Sequence, residues 1–117
     1  MKENNIVIDK SYNFALEIIK MHQNLIKERR VDTSILRQLL KSGTSIGANA
    51  NEAVGAYSRK EFIVKFQIAY KETKETLYWL NLLADSGILE DSRSIPLIED
   101  CEEILKIITS IIKTTKL

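Results

Sequence analysis

Histidine, cysteine and glutamate are the residue types in this chain that could transfer protons, attack a substrate or hold a metal. The chain has one histidine, His22, and one cysteine, Cys101. A di-iron bundle needs Glu-x-x-His motifs from two helices, and a serine nucleophile needs a histidine base oriented by a third group. His22 lies on the apolar side of a predicted helix with nothing in the sequence to orient it. We expect it to pack in the core or at an interface.

The other candidates for chemistry also favour structural roles. Cys101 falls on the inward side of a predicted helix, where a thiol behaves as a small buried hydrophobe. Glu52, Glu72 and Glu75 have no evident partner of the opposite catalytic role, so we expect solvated or interface carboxylates. The sequence implies no catalytic residue, metal or cofactor, and we predict that the protein is not an enzyme.

A row of three lysines, Lys60, Lys71 and Lys74, is the strongest indication of binding in the sequence. It occupies a sector of roughly 60° on a helical wheel, together with Gln67 and Tyr78, while the glutamates of the same segment fall on the other flank. Lysines beside an amide and an aromatic ring suit phosphate contacts and base stacking. Alternatively, the row is a solvated face or complements an acidic helix of a neighbouring subunit. The predicted nucleic-acid-binding residues are Lys60, Lys71, Lys74, Arg59, Arg37 and Lys41.

Length and composition limit the class of protein. The chain has 117 residues, 44% of them hydrophobic, and this size predicts a single domain over residues 1–117. Its formal net charge is only +1, so the protein as a whole does not attract a polyanion electrostatically. A lone cysteine suits a reducing compartment. The sequence shows neither a signal peptide nor about 18 consecutive apolar residues. We expect a cytoplasmic protein that makes no membrane contact.

The clearest predicted helix covers residues 59–85, where apolar positions recur at spacings of three and four. Ser58 and Glu61 have the spacing of a capping box, and Tyr57 and Phe62 that of a hydrophobic staple. Gly87 is placed to end the helix in the left-handed conformation.

The segment before this helix combines a helical period with small residues. It predicts a second helix that begins at a cap among residues 32–34 and runs to about Tyr57. Gly43 and Gly47 lower its helix propensity by roughly 1 kcal/mol each, which close packing against another helix would offset. The segment lacks the Gly-Lys-Ser/Thr ending of a phosphate loop and no strand precedes it, so we favour packing.

Two further helices complete the expected fold. We predict that residues 1–8 form a tail, that Asp9 or Ser11 caps helix one, and that Ser94 caps helix four with Pro96 in its first turn. Short connections favour antiparallel neighbours, so the fold class is all-α, an antiparallel up-down-up-down four-helix bundle. Helices one, three and four carry apolar stripes of roughly 160° to 180°. This surplus predicts self-association, with Trp79 as a subunit contact.

Three segments carry a family resemblance: LLKSGTSIGANANEA, SRKEFIVKFQIAYKET and ETLYWLNLL. They resemble the small bacterial four helix bundle proteins encoded by intervening sequences in 23S rRNA genes, over nearly the whole chain. The accessory protein of diversity-generating retroelements is more distantly similar. The resemblance implies a barrel-shaped homopentamer with RNA or DNA binding through basic surface, and no catalytic residues. The alternative that it permits is a structural adaptor whose ring recruits a protein such as a reverse transcriptase.

Overall fold

Four long α-helices make up the fold. The computed structural model describes residues 2–29 and 32–115. These residues form α1 (Lys2–Glu28), α2 (Thr33–Val54), α3 (Arg59–Asp85) and α4 (Asp91–Thr114). Helices of 22 to 27 residues are about 33–40 Å long, which accounts for a molecule that measures 46 × 20 × 19 Å. Within the described ranges, none of the helices has the length and apolar character that crossing a membrane requires.

The helices are antiparallel neighbours in a closed ring of four. α2 packs against α1 and α3, and α4 packs against α3 and α1, whereas the backbones of the diagonal pairs do not approach each other closely over the described ranges. Lys65 of α3 pairs with Glu52 of α2, and Thr76 lies beside Ser42, so the two helices run in opposite directions. The predicted all-α, up-down-up-down four-helix bundle is confirmed.

The core is built from the apolar positions that recur at spacings of three and four on each helix. Its largest fully buried side chains are Phe66, Ile18, Leu25, Leu36, Leu39, Ile46, Leu80, Leu83, Leu89, Ile104, Ile108 and Ile111. Burying a side chain of this size contributes about 1.5–3 kcal/mol, so this core is the main source of stability.

A short polar seam crosses the core between α2, α3 and α4. The Thr76 hydroxyl lies 2.9 Å from the Ser42 hydroxyl and 2.7 Å from the Glu72 carbonyl oxygen. The Cys101 thiol lies 3.5 Å from the Thr73 carbonyl oxygen. Buried polar groups are tolerated when they are hydrogen-bonded, and these partners fix the register of three helices.

Gly43 and Gly47 let α1 approach α2 closely, as predicted. A Cβ atom on Gly43 would lie 3.0 Å from Ile18 Cγ2, and one on Gly47 would lie 3.2 Å from Ser11 Oγ and 3.4 Å from the Ser11 backbone carbon. Packing of this density offsets the unfavourable propensity of two helical glycines.

Two predicted helix starts are wrong. Residues 2–8 are the first turns of α1 and not a tail, so Asp9 and Ser11 lie inside the helix. α4 begins at Asp91 and places Pro96 within the helix, while Ser94 is a buried helical residue. The amide of Ser94 donates to the Glu90 carbonyl at 2.9 Å. This bond closes the first turn of α4 before Pro96. The helix can therefore begin at Asp91 although a proline follows inside it.

The ends of α2 and α3 agree with the predictions in part. The Asp32 carboxylate caps α2 by accepting from the Ser34 amide at 2.7 Å, but α2 ends at Val54, before Tyr57. Ser58 caps α3 by accepting from the Glu61 amide at 3.1 Å.

The prediction of a hydrophobic staple between Tyr57 and Phe62 at the start of α3 is wrong. Tyr57 is 100% exposed, whereas Phe62 packs edge-on against Phe66 at a centroid distance of 4.9 Å. Gly87, with φ of 80°, takes the left-handed conformation predicted after α3.

Candidate nucleic-acid interface

The lysine row, Lys60, Lys71 and Lys74, lies on the outer face of α3. The buried face of α3 is formed by Phe66, Thr73, Leu80 and their helical neighbours, and the three lysines are exposed. Lys71 and Lys74 are one turn apart, and Lys60 lies about 16 Å away along the axis. Within the described part of the chain, none of the three forms an ion pair. Their charges are therefore available to phosphate groups.

Gln67 and Tyr78 complete the outer face that contains the lysine row. Gln67 is exposed, and Tyr78 is 59% exposed with its ring 5.3 Å from that of Trp79 in an edge-on arrangement. Trp79 is half-buried, and its indole N–H donates to Glu75 Oε2 at 3.2 Å. The Tyr78 ring is therefore held in place while one side of it stays open to a stacking partner.

The opposite flank of α3 is acidic and faces α2. Glu52 of α2 accepts from Lys65 at 2.8 Å, and this pairing raises the pKa of Lys65. Partial burial raises the pKa of Glu72, the charge of Glu75 raises it further, and Lys41 and Lys71 act in the opposite direction. Lys41 thus stands close to a carboxylate that partly offsets its charge.

The six predicted binding residues fall into three places. The lysine row occupies the outer face of α3. Arg37 and Lys41 are exposed on consecutive turns of α2, on the side that borders the acidic flank of α3. Arg59 is the first residue of α3 and lines a cleft at the end of the bundle. The structure therefore keeps the lysine row on one face of α3, with Arg59 next to Lys60 at the start of that helix, and places Arg37 and Lys41 on the neighbouring α2.

Two exposed apolar faces lie on the diagonal helices. The α1 apolar face consists of Tyr12, Leu16, Ile19 and Ile26. The α3 apolar face consists of Val64, Ile68, Tyr78 and Leu82. Both sets fall on positions of a seam with spacings of three and four, the pattern of a helix that packs against another helix, but Gln23 interrupts the α1 set and Lys71 and Glu75 interrupt the α3 set. The predicted surplus of apolar surface is present on α1 and α3, whereas α4 exposes Ile95 at its start and keeps the rest of its stripe buried or half-buried.

The histidine and the cysteine considered for catalysis are packed among other side chains of the bundle. His22 is half-buried in a groove between α1 and α2, which Ile19, Ile26 and Leu40 also line. Cys101 is fully buried, and burial, followed by the charges of Glu102 and Asp100, raises its thiol pKa to about 12. The thiol is therefore protonated at neutral pH. In the described ranges, His, Cys, Asp and Glu side chains form no group of three that could hold a metal ion.

A cleft of about 600 Å³ opens at the end of the bundle where α1 and α3 begin and α2 and α4 end. This bundle-end cleft is lined by Asn4, Ala53, Val54, Ala56, Tyr57, Ser58, Arg59, Phe62, Thr114 and Thr115. Asn4 is 9% exposed, and its Oδ1 is the one buried side-chain oxygen or nitrogen of the described residues without a hydrogen-bond partner. Such a group costs about 1–3 kcal/mol.

The sequence pattern alone does not indicate the bundle-end cleft. A tail over residues 1–8 would leave Asn4 outside the bundle. The burial of Asn4 could have been predicted from the spacing of Asn4, Val7, Ser11 and Phe14. These residues continue the buried side of α1 to the start of the helix.

The fold and these surfaces define a small all-α bundle with a basic outer face and two apolar ones. The chain belongs to the family of 23S rRNA-intervening sequence proteins, whose profile matches residues 3–110. This match confirms the resemblance carried by the three sequence segments.

The structure is similar to the crystal structure of a protein with unknown function from the S23 ribosomal protein family of Bacteroides thetaiotaomicron. The two chains are 43% identical, the match covers 96% of this chain and 99% of the other, and the TM-score is 0.90. No curated protein matches this sequence.

Proposed function

We propose that this protein is a non-enzymatic homo-oligomer, a pentamer according to the family resemblance, which binds RNA or DNA with little sequence preference. The observation that carries this proposal is the lysine row, exposed and without ion pairs among the described residues, beside Gln67 and Tyr78. Lysine contacts to phosphate supply affinity without reading sequence. The repetition of the row around an oligomer would multiply these contacts.

The two apolar faces support self-association. They lie on helices that are diagonal in the bundle over the described ranges, and they differ in composition. An interface that joins the α1 apolar face of one copy to the α3 apolar face of the next is head-to-tail, and such interfaces close into rings when the rotation between copies allows it. Lys71 and Tyr78 lie where the lysine row and the α3 apolar face meet, so assembly and binding have to be measured on the same samples.

A salt titration tests the proposal. The affinity of the wild-type oligomer for a labelled single-stranded RNA, measured by fluorescence anisotropy, should fall steeply with salt. The double variant K71E/K74E should bind more weakly and reduce the slope of log K against log salt by roughly 0.7 for each phosphate that the variant no longer neutralises. K106E/K113E is the matched control, because it reverses two exposed lysines of α4 with the same change in net charge.

Light scattering supplies the mass of each variant in the same experiment. We expect the wild type and K71E/K74E to have the mass of the same oligomer, and a wild-type monomer would overturn the proposed assembly. Dissociation of K71E/K74E together with weaker binding would assign the lysines to the subunit interface and refute their role in phosphate contact. Equal reductions of affinity in K71E/K74E and K106E/K113E would refute a localised site.

The second candidate function is a structural adaptor that recruits a protein, such as a reverse transcriptase. The α1 apolar face favours it, because Tyr12 is 65% exposed and Leu16 and Ile19 are about 40% exposed. Apolar surface of this kind suits a protein partner. An intact oligomer that binds no RNA or DNA at low salt would favour the adaptor over the nucleic-acid-binding function.

A further inference from the structure

The bundle-end cleft has the composition of a nucleobase pocket. Its volume of about 600 Å³ falls within the range of small-molecule sites, which are mostly apolar with a few polar groups that fix orientation. We propose that this cleft binds one unpaired base of a single-stranded nucleic acid and holds the adjoining phosphate near Arg59 and Lys60. This inference rests on the proposed function and assigns to it a second contact site, distinct from Lys71 and Lys74.

Asn4 supplies the hydrogen-bonding group of the pocket. Its Oδ1 is buried without a partner and its side chain lines the cleft. A carboxamide offers an acceptor and a donor side by side, and this pair matches the edge of a base, as in the pairing of asparagine with adenine. A base edge would satisfy Oδ1 once the carboxamide rotates toward the cleft, whereas an apolar side chain of another protein would leave it unpaired.

Tyr57 and Phe62 supply aromatic surface at the cleft. Tyr57 is 100% exposed, and its amide donates to Glu61 Oε2 at 3.2 Å, which holds the backbone that carries the ring. Phe62 is half-buried against Phe66. Both residues line the cleft, and an exposed aromatic ring is suited to stacking, the main source of affinity for unpaired bases.

Positive charge at the cleft comes from the start of α3. The first amides of a helix carry partial positive charge that favours phosphate, and Ser58, the cap of α3, lines the cleft. Arg59 also lines it, and Lys60 follows in the same turn. Lys60 is also the first member of the lysine row, so a strand that leaves the cleft meets Lys71 and Lys74 farther along α3.

Binding to strands with and without bases tests the inference. The probes are a short single-stranded deoxyadenylate oligomer and an abasic strand of equal length and charge, both measured with the full-length oligomer. The wild type should bind the base-bearing strand about 5- to 150-fold more tightly, the range expected for one stacked base. Y57A and N4L should each remove most of this difference and leave the affinity for the abasic strand unchanged.

Matched variants separate the cleft from general effects. Y57F keeps the ring and should bind as the wild type does. N5L changes the neighbouring exposed asparagine and should have no effect. K71E/K74E should weaken binding of both strands by the same factor. Equal wild-type affinity for the two strands, or unchanged base preference in both Y57A and N4L, would overturn the inference while leaving the lysine row intact.

A titration with a mononucleotide distinguishes failure of the inference from failure of the proposed function. Adenosine monophosphate should shift the NMR signals of the Asn4 side-chain amide and of Tyr57, whereas ribose 5-phosphate should leave the Asn4 amide unmoved. If no strand binds but the mononucleotide gives these shifts, the proposed function fails and the cleft still holds a base. If the mononucleotide gives no shift, the cleft is not a base pocket.

Discussion

Gly43→Ala is expected to destabilise the bundle although it raises helix propensity. The added methyl group would lie 3.0 Å from Ile18 Cγ2 and 3.1 Å from Ile18 Cγ1, whereas carbon atoms pack best at about 3.5–4.0 Å. Ile18 is fully buried, and a β-branched side chain on a helix has one strongly preferred rotamer. The separation between the added methyl group and Ile18 must therefore grow by about half an ångström, through a movement of α1 away from α2.

The size of the effect follows from two opposing contributions. Overpacking a well-filled core costs about 1–3 kcal/mol, and replacing a helical glycine with alanine returns about 1 kcal/mol. We expect a net decrease of about 1 kcal/mol, and at most about 2, in the free energy of unfolding.

Urea unfolding followed by the fluorescence of Trp79, the single tryptophan, measures this decrease at a fixed protein concentration. Gly55→Ala is the control, because a Cβ there meets only the Glu52 carbonyl oxygen at 3.8 Å and its φ is −92°. The control should be neutral or stabilising by up to about 1 kcal/mol. A Gly43→Ala protein as stable as the wild type would refute the argument that close helix contact requires this glycine.

Two further predictions concern ionisable groups. Glu72→Gln should stabilise the protein at neutral pH, since burial raises the folded-state pKa of Glu72 above its ordinary 4.5 and ionisation therefore opposes folding. The difference in unfolding free energy between the variant and the wild type, measured by urea titration, should vanish below pH 4.5, where both side chains are neutral. A stabilisation seen only in acid would contradict this prediction. Cys101, with a thiol pKa of about 12, should resist iodoacetamide at about pH 8, near the ordinary pKa of a free thiol, until denaturant is added. Rapid labelling of the native protein, seen by mass spectrometry, would contradict its burial.

The candidate site was predictable where it depends on a single helix. Lys60, Lys71 and Lys74 share one side of α3 because a regular helix turns by about 100° per residue, so the wheel alone groups them. The wheel gives no distance between helices. It therefore could not place Arg37 and Lys41 relative to the row. In the bundle, Lys41 of α2 and Lys71 of the row both act on the carboxylate of Glu72, which lies between α2 and α3.

The sequence by itself determined the four helices, the small-residue contact at Gly43 and Gly47, the cap of α3 at Ser58 and a cap of α2 among residues 32–34, of which the structure selects Asp32. These features depend on local hydrogen bonds and on the alternation of apolar residues, which a linear pattern records. Only the tertiary structure decided that residues 2–8 extend α1 and that Asn4, Tyr57 and Phe62 line one cleft. Residues far apart in the chain become neighbours through the packing of four helices, and no local pattern specifies such a contact.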